Sequence, residues 1–229
     1  MSTLQLIIGN KNYSSWSMRP WVLMTQKGIP FDEQMIRFDG FGAGSQFKQA
    51  IGVLNPFGKV PVLVDGDLVV TDTLAIAEYL AERFPEHELW PRDAKLRAWA
   101  RSACAHMHSG FGVLRQLLPM NIEADLREVG ARLLREHPEL QSEIAQVESL
   151  WTMALNQHGG PMLFGEYSIV DAFFTPVVMR FKTYGVALGS VATAYMDRIA
   201  ELPSTQAWCH AALREQDFLA FEEPYRDAR

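Results

Sequence analysis

Hydroxyl side chains crowd one short segment, Tyr13-Ser14-Ser15-Trp16-Ser17, and Ser17 to Lys27 then reads as a helix closed by Gly28. At a helix start, free N–H groups and the positive end of the dipole face outward, so hydroxyls there can help hold an anion. Ser17 is the best placed to cap the helix; Tyr13, Ser14 and Ser15 remain as donors. Asp72-Thr73 opens a second helix in the same way, and a carboxylate would suit its N–H groups. The plain alternative is that Asp72 or Thr71 is an N-cap, worth about 1 kcal/mol. Val60-Pro61 stands where a strand begins, a position that tolerates proline because no ladder N–H is needed. A cis bond there would turn the main chain of Val60 outward, and an extended peptide could pair with it as an added strand. An ordinary trans turn-to-strand proline is the alternative. Cys104-Ala105-His106-Met107-His108 has metal-ligating residue types, but on a helix its two ends share a face while His106 points away. No second ligand cluster accompanies it, so no metal is expected.

The elements that must position these residues alternate in the first third of the chain. Leu4 to Ile8 is a short apolar run that reads as a buried strand, followed by the helix to Lys27 and a second strand over Phe31 to Phe38. A Gly-rich loop, Gly40 to Gly44, and a short helix near Ser45 to Ala50 come next. Val62 to Val64 and Leu68 to Val70 form a hairpin around Asp65-Gly66-Asp67, and Thr73 to Phe84 closes the unit as a helix. The order is βαβ, then ββα.

From Ala94 the strand signal disappears. A continuous helical stripe runs from Leu96 through Trp99, Ala103, Met107 and Phe111 to Leu118, where Pro119 ends it. Helices around Leu126 to Leu133 and Leu140 to Ala154 follow, and then Tyr167 to Thr183, Val191 to Leu202 and Ser204 to Glu215. Within this run Ser168 and Asp171 form a capping box, a folding element. The expected organisation is an α/β domain over residues 1–84, a linker at 85–93 and an all-α domain over 94–229.

Composition narrows the classes of function. The chain has 229 residues, 48% hydrophobic and 21% charged, the profile of a folded globular protein rather than a disordered or fibrous one. Its most apolar run, Ile169 to Phe181, is interrupted by Asp171, Pro176 and Arg180, which argues against a membrane span. The segment from Met1 to Gly9 lacks the pattern of a secretory signal, so a cytoplasmic location is expected. A net charge of −6 argues against nucleic acid as the main partner, and two cysteines 105 positions apart (209 minus 104) exclude a Cys-x-x-Cys redox pair.

The element order with its strand-initial Val-Pro fits the thioredoxin arrangement, and four segments carry a closer likeness. Tyr13 to Trp21 resembles the Ser-Ser-x-Ser-x-Arg loop of zeta-type glutathione transferases. Asn55 to Leu63, Thr71 to Ile76 and Ser168 to Ala172 match the same family in order and spacing, and the helical tail extends the likeness over nearly the whole chain. The resemblance implies a glutathione transferase fold, a thioredoxin-like domain followed by a helical one, and glutathione as co-substrate. It implies that Val60 holds the cysteinyl part beside a cis proline. Thr73 would take the γ-glutamyl carboxylate, Asp72 would face the ammonium, and Lys59 would approach the glycine carboxylate. Ser14 matches the catalytic serine, whose hydroxyl stabilises the glutathione thiolate. A small hydrophobic electrophile would sit against the first long helix of the second domain, near His108, Phe111 and Leu114. A homodimer is implied as well, with the neighbourhood of Asp72 and the helix from Ala94 near the interface.

The chain departs from the zeta pattern at Trp16, where those enzymes carry a cysteine tied to their isomerase chemistry. That weighs against maleylacetoacetate isomerisation and against reactions that need a reactive cysteine in this loop, and leaves conjugation, with peroxide reduction or a small isomerisation as alternatives. Trp16 either shapes the site or merely packs at the loop–helix junction. A scaffold of this fold that binds partners without turnover is the reading from another class; intact Ser14, Val60-Pro61 and Asp72-Thr73 favour an enzyme.

Overall fold

A computed structural model describes residues 3–229. The first two residues, part of the expected first domain, lie outside the described residues. The chain starts with β1 (Leu4–Ile8), α1 (Ser15–Lys27), β2 (Phe31–Met35), α2 (Gln46–Gly52), β3 (Val62–Asp65), β4 (Leu68–Thr71) and α3 (Thr73–Arg83). The four strands form one mixed sheet in the order β2-β1-β3-β4, with β1 parallel to β2 and antiparallel to β3, and with β3 antiparallel to β4. Because side chains alternate across a strand, β1 feeds two cores. Leu4, Leu6 and Ile8 pack with Met18 and Val22 of α1 and with Ile76 and Leu80 of α3, whereas Ile7 packs with Val62, Phe47 and Ile51 on the other face.

Among the described residues seven α-helices follow: α4 (Ala94–Ser109), α5 (Gly112–Leu117), α6 (Arg127–Glu136), α7 (Pro138–His158), α8 (Ile169–Tyr184), α9 (Ser190–Glu201) and α10 (Pro203–Glu215). Almost every residue of α8 is buried, consistent with its lack of a polar face. Asp171 fixes its start: the carboxylate accepts from Ser168 N at 2.9 Å, Leu163 N at 3.0 Å and the Tyr195 hydroxyl at 3.0 Å. α8 packs on α1 and α4, so the main core is continuous between the sheet-containing half and the helical half. A tail after α10 returns over the first loop: Tyr13 donates to Glu223 at 2.7 Å, and Asn10 to Asp217 at 2.6 Å. Among the described residues, no helix is long and apolar enough to cross a membrane.

Two expectations are corrected. The stripe from Leu96 to Leu118 is not one helix. It breaks at Gly110 and Phe111, where Phe111 adopts a left-handed φ of 53°, and α5 starts afresh with Glu143 accepting from Leu114 N at 2.7 Å. α1 begins at Ser15 rather than Ser17, because Ser14 N reaches Asn10 O at 2.8 Å and Met18 N reaches Ser14 O at 3.1 Å, which starts helical pairing two residues earlier.

Candidate functional site

A cavity of about 710 Å³ lies between the two halves. On the sheet side it is lined by the entry to α1 and its first residues (Tyr13 to Trp16), by Lys59, Val60 and Pro61, and by Thr71, Asp72 and Thr73. Three turns separated in sequence therefore meet, because β1 and β3 are paired and α3 follows the hairpin edge.

Ser14 occupies the N-cap position of α1 without capping it through its side chain, and it is buried. Ser17, expected as the cap, lies instead in the first turn with no exposed surface; its Oγ accepts from Gly9 N at 3.2 Å and is 2.7 Å from Ser14 Oγ. The other hydroxyls of the segment are engaged elsewhere. Tyr13 donates to Glu223 and accepts from Leu219 N at 3.3 Å, and burial together with that carboxylate pushes its pKa up to about 12. Ser15 Oγ accepts from Arg180 Nη2 at 2.9 Å.

The Val60–Pro61 peptide is cis. The turn before it is held by Asn55, whose Nδ2 donates to Lys59 O at 2.8 Å and whose Oδ1 accepts from Phe57 N at 3.0 Å. Lys59 itself is exposed at the cavity edge.

Asp72 is the N-cap of α3, with Oδ1 accepting from Leu74 N at 2.8 Å. Its φ of 81° is a conformation that costs a residue with a side chain on the order of 1–3 kcal/mol and that concentrates at functional sites. Oδ2 lies 3.3 Å from His108 Nε2, so the capping carboxylate is also tied to the helical half. Thr73 beside it is buried, and its Oγ1 accepts from Arg19 Nη1 at 3.4 Å.

The helical side differs from expectation. His108 lines the cavity. Phe111 and Leu114 belong to the buried core and are absent from the lining, since the break at Gly110 turns the apolar stripe away. Arg115, Pro119, Met120, Arg180 and Glu222 line the cavity in their place. Arg180 projects from the apolar helix α8; its guanidinium donates to Ser15 Oγ and to the carbonyl oxygen of Leu118. Burial, reinforced by Arg115, lowers its pKa to about 10. Burial raises the Glu222 carboxyl to about 7, against the pull of Arg180. Among the described residues Arg115 and Arg180 make no ion pair.

Trp16 both lines the cavity and organises its cations. Its ring meets His108 edge-on at 5.2 Å, and the guanidiniums of Arg19 and Arg115 lie 4.0 and 5.8 Å from its centre. Of the residues missed from sequence, Arg180 left a signal, a lone cation within the most apolar run of the chain. Glu222 left none, because only the return of the tail brings it to the cavity. Cys104 is buried in the core while His106 is exposed, and among the described residues no three His, Cys, Asp or Glu side chains gather as a metal-holding group.

Residues 13–83, which contain the whole sheet side of the cavity, match the family described as glutathione S-transferase, N-terminal domain. This part of the chain carries the N-terminal domain of a glutathione S-transferase, and the whole chain is similar to members of that family. It is 29% identical over 168 residues to a zeta class glutathione S-transferase of Euphorbia esula, covering 72% of this chain and 71% of that protein. It is also 26% identical over 187 residues to a stringent starvation protein A homolog of Haemophilus ducreyi, covering 80% of this chain and 79% of that one. Among solved structures it is similar to a glutathione transferase homolog from Burkholderia gl BGR1 with bound glutathione, at a TM-score of 0.63 and 22% identity, covering 94% of this chain and 100% of the other. The mixed sheet followed by helices is thus the glutathione transferase fold.

Proposed function

We propose that this protein is a glutathione transferase that stabilises the glutathione thiolate with the Ser14 hydroxyl. The observation that carries the reading is the convergence of Ser14, Val60 and Asp72-Thr73 on one cavity between the two halves. Glutathione lies along the sheet side, with Val60 main chain at its cysteinyl part, Thr73 at the γ-glutamyl carboxylate, Asp72 at the ammonium and Lys59 toward the glycine carboxylate.

A free thiol with pKa about 8.5 is only a few per cent ionised at neutral pH. Lowering that pKa by two units takes about 2.7 kcal/mol of preferential stabilisation of the anion. Ser14 supplies a hydrogen bond to the sulfur, and the free N–H groups at the start of α1 add their dipole. Ser17 holds this hydroxyl in place: its Oγ accepts from Gly9 N–H and from Ser14 Oγ, and the Ser14 proton turns from Ser17 to the sulfur when the thiolate is bound. The thiol proton leaves to water, the thiolate forms a bond to the electrophilic carbon of the acceptor, and the leaving group departs with its electron pair.

The acceptor pocket is mixed rather than purely apolar. Trp16, Met120 and Pro119 give it apolar surface, while Arg180 and Arg115 favour an electrophile that carries an anionic group. Exposed Leu68 and Val69 on β4 and Trp99 on α4 offer apolar surface for a homodimer, which sedimentation would test. The chain is also similar to proteins named for stringent starvation and not for a transferase activity, which leaves a second reading, a partner-binding scaffold without turnover. Calorimetric titration with glutathione and S-methylglutathione separates the two. Saturable binding at one site per chain supports the transferase, and no binding up to about 10 mM, weaker than roughly −2.7 kcal/mol, supports the scaffold.

A further inference from the structure

Arg19 stands just behind the cavity wall, outside the lining itself, with Asp72 near enough to favour its charge but not paired with it. The residue is 2% exposed, its Nε has no hydrogen-bond partner, and among the described residues it makes no ion pair. Among the described residues its side chain makes one hydrogen bond, the 3.4 Å contact from Nη1 to Thr73 Oγ1. Two aromatic faces partly replace water, with the guanidinium carbon 4.0 Å from the Trp16 ring centre and 4.8 Å from that of Phe173. Burial and the neighbouring charges of Arg180 and Arg115 disfavour its ionised form and lower its pKa to about 9. A buried cation left without a counter-ion is costly, and structures keep such groups where a ligand completes the charge balance.

We propose that Arg19 is a positioning residue for glutathione, charging the Thr73 hydroxyl from behind so that it holds the γ-glutamyl carboxylate. The inference rests on the glutathione reading above. Thr73 Oγ1 accepts from Arg19, so its own proton is directed elsewhere, and Thr73 lines the cavity at the start of α3. The hydroxyl therefore donates to the carboxylate through a chain whose far end is a cation, and bonds in such a chain strengthen one another. When the carboxylate binds, it adds a negative charge close to a buried cation that has no ion-pair partner among the described residues. A purely structural role, joining α1 to α8 through Phe173, would make no distinction between ligands.

The test is calorimetric titration of the full chain with glutathione and with 4-aminobutyryl-cysteinyl-glycine, which lacks only the γ-glutamyl carboxylate. Wild type should prefer glutathione by about 30-fold or more, the scale of a charge-assisted hydrogen bond. Arg19→Met should reduce that preference to less than about 3-fold while changing the affinity for the analogue by no more than about twofold. Arg19→Lys should keep at least about a 10-fold preference. Arg19 lies in the core, so Thr73→Val serves as a milder second variant, and it should lose the same preference with Arg19 intact. Equal weakening of both ligands in Arg19→Met, or an undiminished preference in Thr73→Val, would overturn the proposal. Wild type that binds the two ligands equally would overturn it while leaving the glutathione site standing, whereas wild type that binds neither would overturn the glutathione reading itself.

Discussion

The two walls of the cavity are built on different principles. The sheet side is assembled from turns and helix starts within residues 13–73, where main-chain geometry does much of the work: a cis Val60–Pro61, a left-handed Asp72 and a hydroxyl at the first residue before α1. The helical side is assembled from side chains of separate segments, His108 at the end of α4, Arg115 in α5, Arg180 in α8 and Glu222 in the tail. A wall made of backbone tolerates few changes and suits a ligand that stays the same, here glutathione. A wall made of side chains from several helices can change residue by residue, and suits an acceptor that differs among relatives.

Substitutions on each wall should therefore separate in what they alter. The largest effect is expected for Arg180→Gln, which should raise KM for an anionic acceptor by about 10- to 100-fold while glutathione affinity stays within about threefold, as read from initial rates at saturating glutathione. Parallel loss of glutathione affinity would mean that the walls are not separable. Asp72→Ala should weaken glutathione binding by about 10-fold in calorimetry, and unchanged affinity would reduce Asp72 to a helix cap. The smallest effect is expected from Glu222. Its carboxyl ionises near 7 in the folded chain against an ordinary 4.5, so the cavity gains a negative charge as pH rises through about 7. Affinity for an anionic acceptor should fall a few-fold between pH 6 and pH 8, and Glu222→Gln should flatten that slope. By linkage the same raised value makes folding stability decline as pH climbs from about 4.5 to about 7, a decline the glutamine variant should lessen while the share from buried Asp171 remains.

Much of the sheet side is legible in the sequence because its signals are local. Strand-initial proline, a hairpin turn, and Asp-Thr at a helix start each act within a few residues, and the capping box at Ser168 and Asp171 is of the same kind. The start of α1 is misread because Ser17 looks like a cap, whereas the turn from Asn10 advances the helix to Ser15. The helical side is harder for a physical reason. Periodicity carries an apolar stripe straight through Gly110 and Phe111, and nothing in the spacing announces the left-handed residue that buries Leu114 and leaves Arg115 facing the cavity. Arg19 and Arg180 acquire their roles only from neighbours 54 and 165 positions away, Thr73 and Ser15.

The central claim, that Ser14 stabilises the thiolate of bound glutathione, is tested most directly by the ultraviolet absorbance of the bound thiolate followed against pH in wild type and Ser14→Ala. The account expects an apparent thiol pKa near 6.5 in wild type, roughly two units below the free value, and a return toward about 8 or higher in the variant with glutathione still bound. A thiolate that titrates at the same pH in both proteins would contradict it.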